Sequence, residues 1–270
     1  MPSTLGSGRF ITFEGPEGSG KSTQATYLQR HLERMGVLVL RTREPGGSII
    51  GPEVRSILLA PDRPPLVPAA EALLIAGDRA QHVADVIRPA IASGAVVLCD
   101  RYIDSTFAYQ GFGAGIDFPT LQAITHFATG GLTPDLTILV DVEARVGISR
   151  RRAAFRKGTG EFNRMDRREM EFHQRVREGF LALALREPSR FLVIDGRQSP
   201  EAVAEQIWTR VSTLLDLSSR GGFPAQANQM PLPLGEGWLA PGLRAHMHRF
   251  ARRVRAIRLG IRTGDVRSSA

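Results

Sequence analysis

The sequence predicts an α/β doubly wound fold, a five-stranded parallel sheet flanked by helices, and two observations carry that expectation. Five short runs, 10–13, 37–40, 95–99, 136–140 and 191–194, are near-continuously apolar instead of alternating. Strands covered on both faces need that pattern. Longer amphipathic stretches lie around and between them at 20–35, 51–59, 69–88, 118–128, 143–153, 167–186 and 200–216, which sets strand and helix in alternation. In such sheets ligands bind beyond the carboxyl ends of the strands, so the residues that follow each run are the candidates for chemistry.

The alternation stops at 217, which bounds a predicted domain of residues 1–217. From 218 to 241 glycine and proline (Gly221, Gly222, Pro224, Pro231, Pro233, Gly235, Gly237, Pro241) break any period, as in a linker. Over 242–270, Leu243, Met247, Phe250, Val254, Ile257 and Ile261 recur at spacings of four and three with arginines between them, the mark of a basic amphipathic helix. The net charge of +8 belongs to this end of the chain, where nine arginines from Ser218 onward face only Glu236 and Asp265. Anionic lipid, nucleic acid or the chain's own core are all open as contacts of the tail. The favoured reading is an appended extension that the activity of the 1–217 domain does not need.

Apolar content of 42% and charged content of 23% are ordinary for a soluble globular chain. Residues 1–8 hold no apolar run, and no window approaches 18 apolar residues, so neither a signal peptide nor a membrane span is expected. The lone Cys99 closes an apolar run and is expected as a buried thiol in a reducing cytoplasm. The six histidines form no zinc pattern.

Between the first run and the first helix, Gly15, Pro16, Glu17, Gly18, Ser19, Gly20, Lys21 and Ser22 match G-x-x-x-x-G-K-[ST], followed by Thr23. Glycines let the backbone wrap so that successive N–H groups face phosphate oxygens, and the helix that follows adds its positive end. Lys21 is expected on the β- and γ-phosphates of a nucleoside triphosphate, and Ser22 on Mg²⁺. Motors, GTPases and small-molecule kinases share this loop, so it leaves the acceptor open.

Further motifs follow the other strands. They are Thr42-Arg43-Glu44-Pro45-Gly46-Gly47, Asp78-Arg79-Ala80-Gln81-His82, Asp100-Arg101-Tyr102 and then Ser105-Thr106-Phe107-Ala108-Tyr109-Gln110-Gly111, with Pro134-Asp135-Leu136-Thr137 ahead of the fourth strand. In this order and spacing, over about residues 9–216, the chain resembles bacterial thymidylate kinase. The resemblance implies a Mg·ATP-dependent transfer to dTMP giving dTDP, in a homodimer formed by helix packing. It implies that Arg101 clamps the acceptor phosphate, that Asp100 supports Mg²⁺, and that Glu17 lies on the deoxyribose side. Arg79, Thr106 and Gln110 would face thymine, Tyr109 would exclude a 2′-hydroxyl, and Arg43, Glu44, Ile75 and Ser105 would complete the acceptor site. With an acid in the loop, such enzymes draw their catalytic arginine from a mobile lid. Here that segment holds Arg150, Arg151, Arg152, Arg156, Lys157, Arg164, Arg167 and Arg168, from which Arg156 is the expected catalytic residue.

Two positions depart from the family pattern. Ile75 stands where a phenylalanine usually stacks on the base, and the lid ends in Asn163-Arg164-Met165-Asp166 in place of D-R-x-E. The first keeps a kinase for another nucleoside monophosphate, such as dUMP, open as an alternative. A nucleotide-binding scaffold acting through its basic tail is the alternative from outside enzymology, disfavoured because Lys21, Ser22 and Arg101 are all present.

Overall fold

The computed structural model describes residues 8–217, and the predicted linker and basic tail lie outside the described residues. The sheet is parallel throughout, in the order β2-β3-β1-β4-β5. Its strands are β1 (Arg9–Glu14), β2 (Val39–Arg43), β3 (Val96–Asp100), β4 (Leu136–Asp141) and β5 (Phe191–Asp195). The expected fold class is therefore observed. On one face, Ile11, Phe13, Val96, Leu98 and Ile138 pack with Leu28 and Leu32 of α1 (Lys21–Arg34), and with residues such as Trp208 that return from the C-terminal end of the domain. On the other, Leu139 meets a cluster built from Tyr109, Phe172, Val176 and Phe180. Cys99 is fully buried, and burial pushes its thiol pKa well up, which makes it an inert core residue.

Three boundaries moved for physical reasons. The second strand was expected at 37–40 but runs to Arg43, because its polar end Arg41-Thr42-Arg43 pairs with Leu98, Cys99 and Asp100. Pairing to a buried neighbour there outweighs side-chain polarity. After α2 (Gly51–Leu59), the stretch expected as one helix at 69–88 is α3 (Pro68–His82), a wide five-residue turn Val83–Ile87, and α4 (Arg88–Ala92). Pro89 has no N–H to give to the preceding turn, and the widened turn just ahead of it absorbs that loss. A helical stretch absent from the expectation follows β3. It comprises α5 (Ile103–Thr106) and a second wide turn, Phe107–Gly113. It holds Ser105, Thr106, Tyr109 and Gln110, all taken as acceptor-site residues.

The remaining helices are α6 (Phe118–Thr129), α7 (Ala144–Arg156), α8 (Met170–Arg186) and α9 (Pro200–Leu214). Side chains of Asp117 and Ser199 cap α6 and α9 by accepting from Thr120 and Ala202 backbone N–H groups. No described helix is long and apolar enough to cross a membrane.

Candidate active site

β1 lies at the centre of the sheet, so the loop leaving it emerges between the ends of β3 and β4. Residues 15–20 form that loop, and its glycines answer to space as well as conformation. Gly15 has φ 139°, and a Cβ there would sit 2.2 Å from the Val140 carbonyl oxygen. Gly18 has φ 66° and lies against Gly147, whose carbonyl oxygen would be 2.1 Å from a Cβ. Any side chain at either position would push the loop off β4 or off α7. Lys21, the first residue of α1, turns back into the loop. Its Nζ donates to the carbonyls of Gly15 at 3.0 Å and Pro16 at 2.7 Å, and to Ser19 Oγ at 3.3 Å. Burial, with Arg101 nearby, brings the Lys21 ammonium down to about 8 against the partly offsetting pull of Glu17.

Arg101 follows β3 in a left-handed conformation, φ 71°, which a non-glycine residue adopts only when its surroundings over-determine it. Those surroundings are visible. Its N–H donates to the Phe13 carbonyl at 3.0 Å, its carbonyl accepts from Cys99 Sγ at 3.0 Å, and the next N–H, of Tyr102, donates to Glu14 Oε1 at 2.7 Å. The guanidinium then reaches the loop. Nη1 donates to the Gly15 carbonyl at 3.2 Å and to Ser105 Oγ at 3.1 Å, and Nη2 to Glu17 Oε1 at 2.9 Å. Tyr109 donates its phenol to the same Glu17 oxygen at 2.9 Å, while its ring lies under the guanidinium at 4.9 Å. Burial alone would raise the Glu17 carboxyl, but Arg101 and Lys21 outweigh it and hold the group at about 2. Arg101 is stabilised as the cation by Glu17 in spite of its burial.

A second unit joins β2 to α3. Arg79 is 1% exposed, with Nε on Glu44 Oε2 at 2.7 Å, Nη1 on Thr106 Oγ1 at 2.9 Å and Nη2 on the Tyr102 carbonyl at 3.0 Å. His82 joins Glu44 at 2.9 Å and Thr42 at 2.7 Å. Asp78 accepts from the Gly46 N–H at 2.8 Å and from Ser48 Oγ at 2.5 Å. The two motifs read separately in the sequence are thus one construction, with α3 holding the loop after β2 in place. Glu44 is pulled below the ordinary carboxylate range, because Arg79 and His82 outweigh the burial that would raise it. Arg43 is half-buried, and burial together with Arg55 lowers its guanidinium to about 10. Ile75 is half-buried on α3.

Gln110 is buried and donates to Glu71 Oε1 at 2.8 Å. Glu71, which sequence reasoning missed, also receives Arg164 at 2.9 Å and Arg168 at 3.3 Å, so it moors the end of the arginine-rich segment to α3. In the departed motif, Asn163 Oδ1 accepts from the Met165 and Asp166 N–H groups at 2.9 and 3.3 Å, and Asp166 takes a two-pronged bond from Arg151 at 3.0 and 2.9 Å. Asn163 therefore shapes the turn, and the carboxylate that orders the arginine-rich segment is Asp166. Arg156 is exposed on the last turn of α7, whereas Arg151 is close enough for its charge to act on Glu17. Steady-state rates should separate the two: Arg151→Ala is expected to lower kcat on the order of 10²-fold and Arg156→Ala only a few-fold.

Ser22 Oγ donates to Asp100 Oδ2 across the mouth of the loop. A hydroxyl and a carboxylate oxygen are the hard donors that Mg²⁺ takes alongside phosphate and water. Among the described residues no group of three or more His, Cys, Asp or Glu forms a metal site. These two side chains fit a magnesium ion carried mainly by nucleotide phosphates.

A loop built to wrap one phosphorylated ligand, with a second cation aimed across it from the next strand, defines a class: the phosphate-loop nucleotide kinases. Comparison with known proteins makes the assignment narrower. The chain belongs to the thymidylate kinase family, whose sequence profile, described as "Thymidylate kinase", matches residues 13–207. It is 53% identical over 210 residues to the thymidylate kinase of Solidesulfovibrio magneticus, covering 76% of this chain and 100% of that one. It is 50% identical over 213 residues to that of Roseiflexus sp., covering 76% and 94%. The crystal structure of thymidylate kinase from Ehrlichia chaffeensis superposes with a TM-score of 0.61 at 33% identity, covering 76% of this chain and 99% of that one.

Proposed function

We propose that this enzyme transfers the γ-phosphoryl group of ATP to the phosphate of dTMP, giving ADP and dTDP for DNA synthesis. One observation supports the reading most directly. Lys21, which is buried, and Arg101, which is half-buried, come from different strand ends and bond to the same carbonyl oxygen, that of Gly15. Like charges brought so close suit a site where two phosphates meet, because the incoming anions then supply the missing neutralisation.

An oxygen of the dTMP phosphate attacks the γ-phosphorus, the bond to the β–γ bridging oxygen breaks, and ADP departs with that electron pair. The attacking oxygen is already anionic, so no general base is needed and catalysis reduces to alignment and charge balance. Loop N–H groups and Lys21 hold the β- and γ-phosphates. Arg101 holds the acceptor phosphate in line, Glu17 and Tyr109 fix that guanidinium, and Arg151 brings lid charge over the transferring group. Magnesium, when bound at Ser22 and Asp100, neutralises charge on the donor phosphates. Arg79, Thr106 and Gln110 frame the base side of the acceptor pocket, with Ile75 in apolar contact in place of stacking and Arg43 and Ser105 at its phosphate end.

A homodimer and residence in the cytoplasm belong to the same proposal. Leu73 of α3 and Phe127 of α6 are 59% and 90% exposed, a surface suited to a second copy. The test is ADP release over a panel of nucleoside monophosphates with magnesium: dTMP should give the highest kcat/KM. Preference for dUMP or dCMP would overturn the assignment of the acceptor.

A further inference from the structure

We propose that Glu14, the buried carboxylate that ends β1, is the positioning residue for Arg101, acting through the hydroxyl of Ser105. The inference rests on the reading of Arg101 as the acceptor-phosphate clamp and adds the device that aims it.

Glu14 is 0% exposed, and its backbone is in register with Leu139 of β4. Its two oxygens are spent on the segment that carries Arg101. Oε1 accepts from the N–H groups of Tyr102 at 2.7 Å and Ser105 at 3.3 Å, and Oε2 accepts from Ser105 Oγ at 2.6 Å. A serine hydroxyl has one proton. By taking it, Glu14 turns the oxygen's lone pairs toward Arg101 Nη1, 3.1 Å away. The Tyr102 bond meanwhile braces the residue that follows the strained Arg101 backbone. One carboxylate thus sets both the main-chain direction and the side-chain direction of the clamp.

An aliphatic residue would be the inexpensive choice at a fully buried strand end, since an ionised carboxylate there costs stability. Burial, with Asp104 of α5 nearby, raises Glu14 to about 7 in spite of Arg101 and the hydrogen bonds from Ser105 and Tyr102. Asp104 is itself held by Arg190 at 2.7 Å. The other ionisable groups whose charge reaches Glu14 are Lys21 of α1, Arg79 of α3 and Cys99 of β3. Below about pH 7 the group takes up a proton and can no longer accept on both oxygens. Because its folded value lies above the ordinary 4.5, the charge weakens folding as pH rises between those values. A neutral isostere therefore relieves that cost at pH 8.

The experiment is a double-mutant cycle in the full-length enzyme with Glu14→Gln, Ser105→Ala and the pair, measured at pH 8 with dTMP and ATP varied separately. Each single change is expected to lower kcat/KM for dTMP by roughly 10- to 100-fold. KM for ATP should stay within about threefold, Glu14→Gln should keep or raise Tm, and the double variant should lose no more than the worse single one. A pH profile adds a second readout. The acceptor's own phosphate titrates near 6 and acts equally on every variant, so only the extra acidic limb near pH 7 should vanish in Glu14→Gln. Additive losses, an equal rise in both KM values, or Ser105→Ala with unchanged dTMP kinetics would each overturn the proposal. A wild-type enzyme inactive on dTMP would instead sink the functional reading beneath it.

Discussion

Lys21→Ala is expected to lower kcat on the order of 10³-fold, equivalent to about 4 kcal/mol of transition-state stabilisation. The protein should nevertheless stay folded. Nζ satisfies loop carbonyls at 2.7 and 3.0 Å, and its removal unpairs neutral acceptors at the edge of the site. The same side chain carries a pH signature. Its value of about 8 means the ammonium is fully present below that pH and is lost as pH rises through it. In the free enzyme kcat/KM for ATP should therefore fall above about pH 8. Lys21→Arg, which keeps its charge to far higher pH, should flatten that limb while remaining slow, because a planar fork does not fit where a compact ammonium sits. A Lys21→Ala enzyme with wild-type turnover would contradict the role given to the loop.

The second large effect concerns the acceptor. Arg101→Ala should reduce kcat/KM for dTMP by about 10²–10³-fold and leave KM for ATP within a few-fold, as separate titrations of the two substrates would reveal. Its structural cost differs from that of Lys21. Arg101 is the main counter-charge for Glu17, so its loss leaves a largely buried carboxylate facing Tyr109 with only Lys21 and Arg151 to balance it. Glu17 should then titrate well above its present value of about 2. Adding Glu17→Gln to the Arg101→Ala protein should restore thermal stability and leave the kinetic defect. Equal losses for both substrates would point to collapse of the whole cleft.

Legibility in the sequence followed the range of the interactions involved. The phosphate loop is contiguous, and the apolar runs are local, so both could be read directly. The end of β2 could not, because Arg41, Thr42 and Arg43 are in the sheet only through pairing with residues about 57 positions later. The helical stretch 103–113 escaped notice because its residues were read as motif letters, and its wide turn has no simple period. Glu14 and Glu71 looked unremarkable, and Arg151 could not be told from the other arginines of its segment, because their contacts are not local. Their partners lie 91, 93 and 15 residues along the chain, and one sequence gives no sign of such pairings. Buried carboxylates inside or just beside an apolar run were the available clue, and Glu14 after 10–13 was one.

The Glu44–Arg79 joint has a practical corollary. Both side chains are 2% exposed, while the Asp195–Arg197 pair on the rim is 41% and 62% exposed. Dissolved ions can crowd around the rim pair but screen the buried one far less. Brine should thus leave the joint between β2 and α3 as it is in dilute buffer. Any decline of turnover with added potassium chloride would then have to be sought in the encounter of charged nucleotides with the mouth of the cleft.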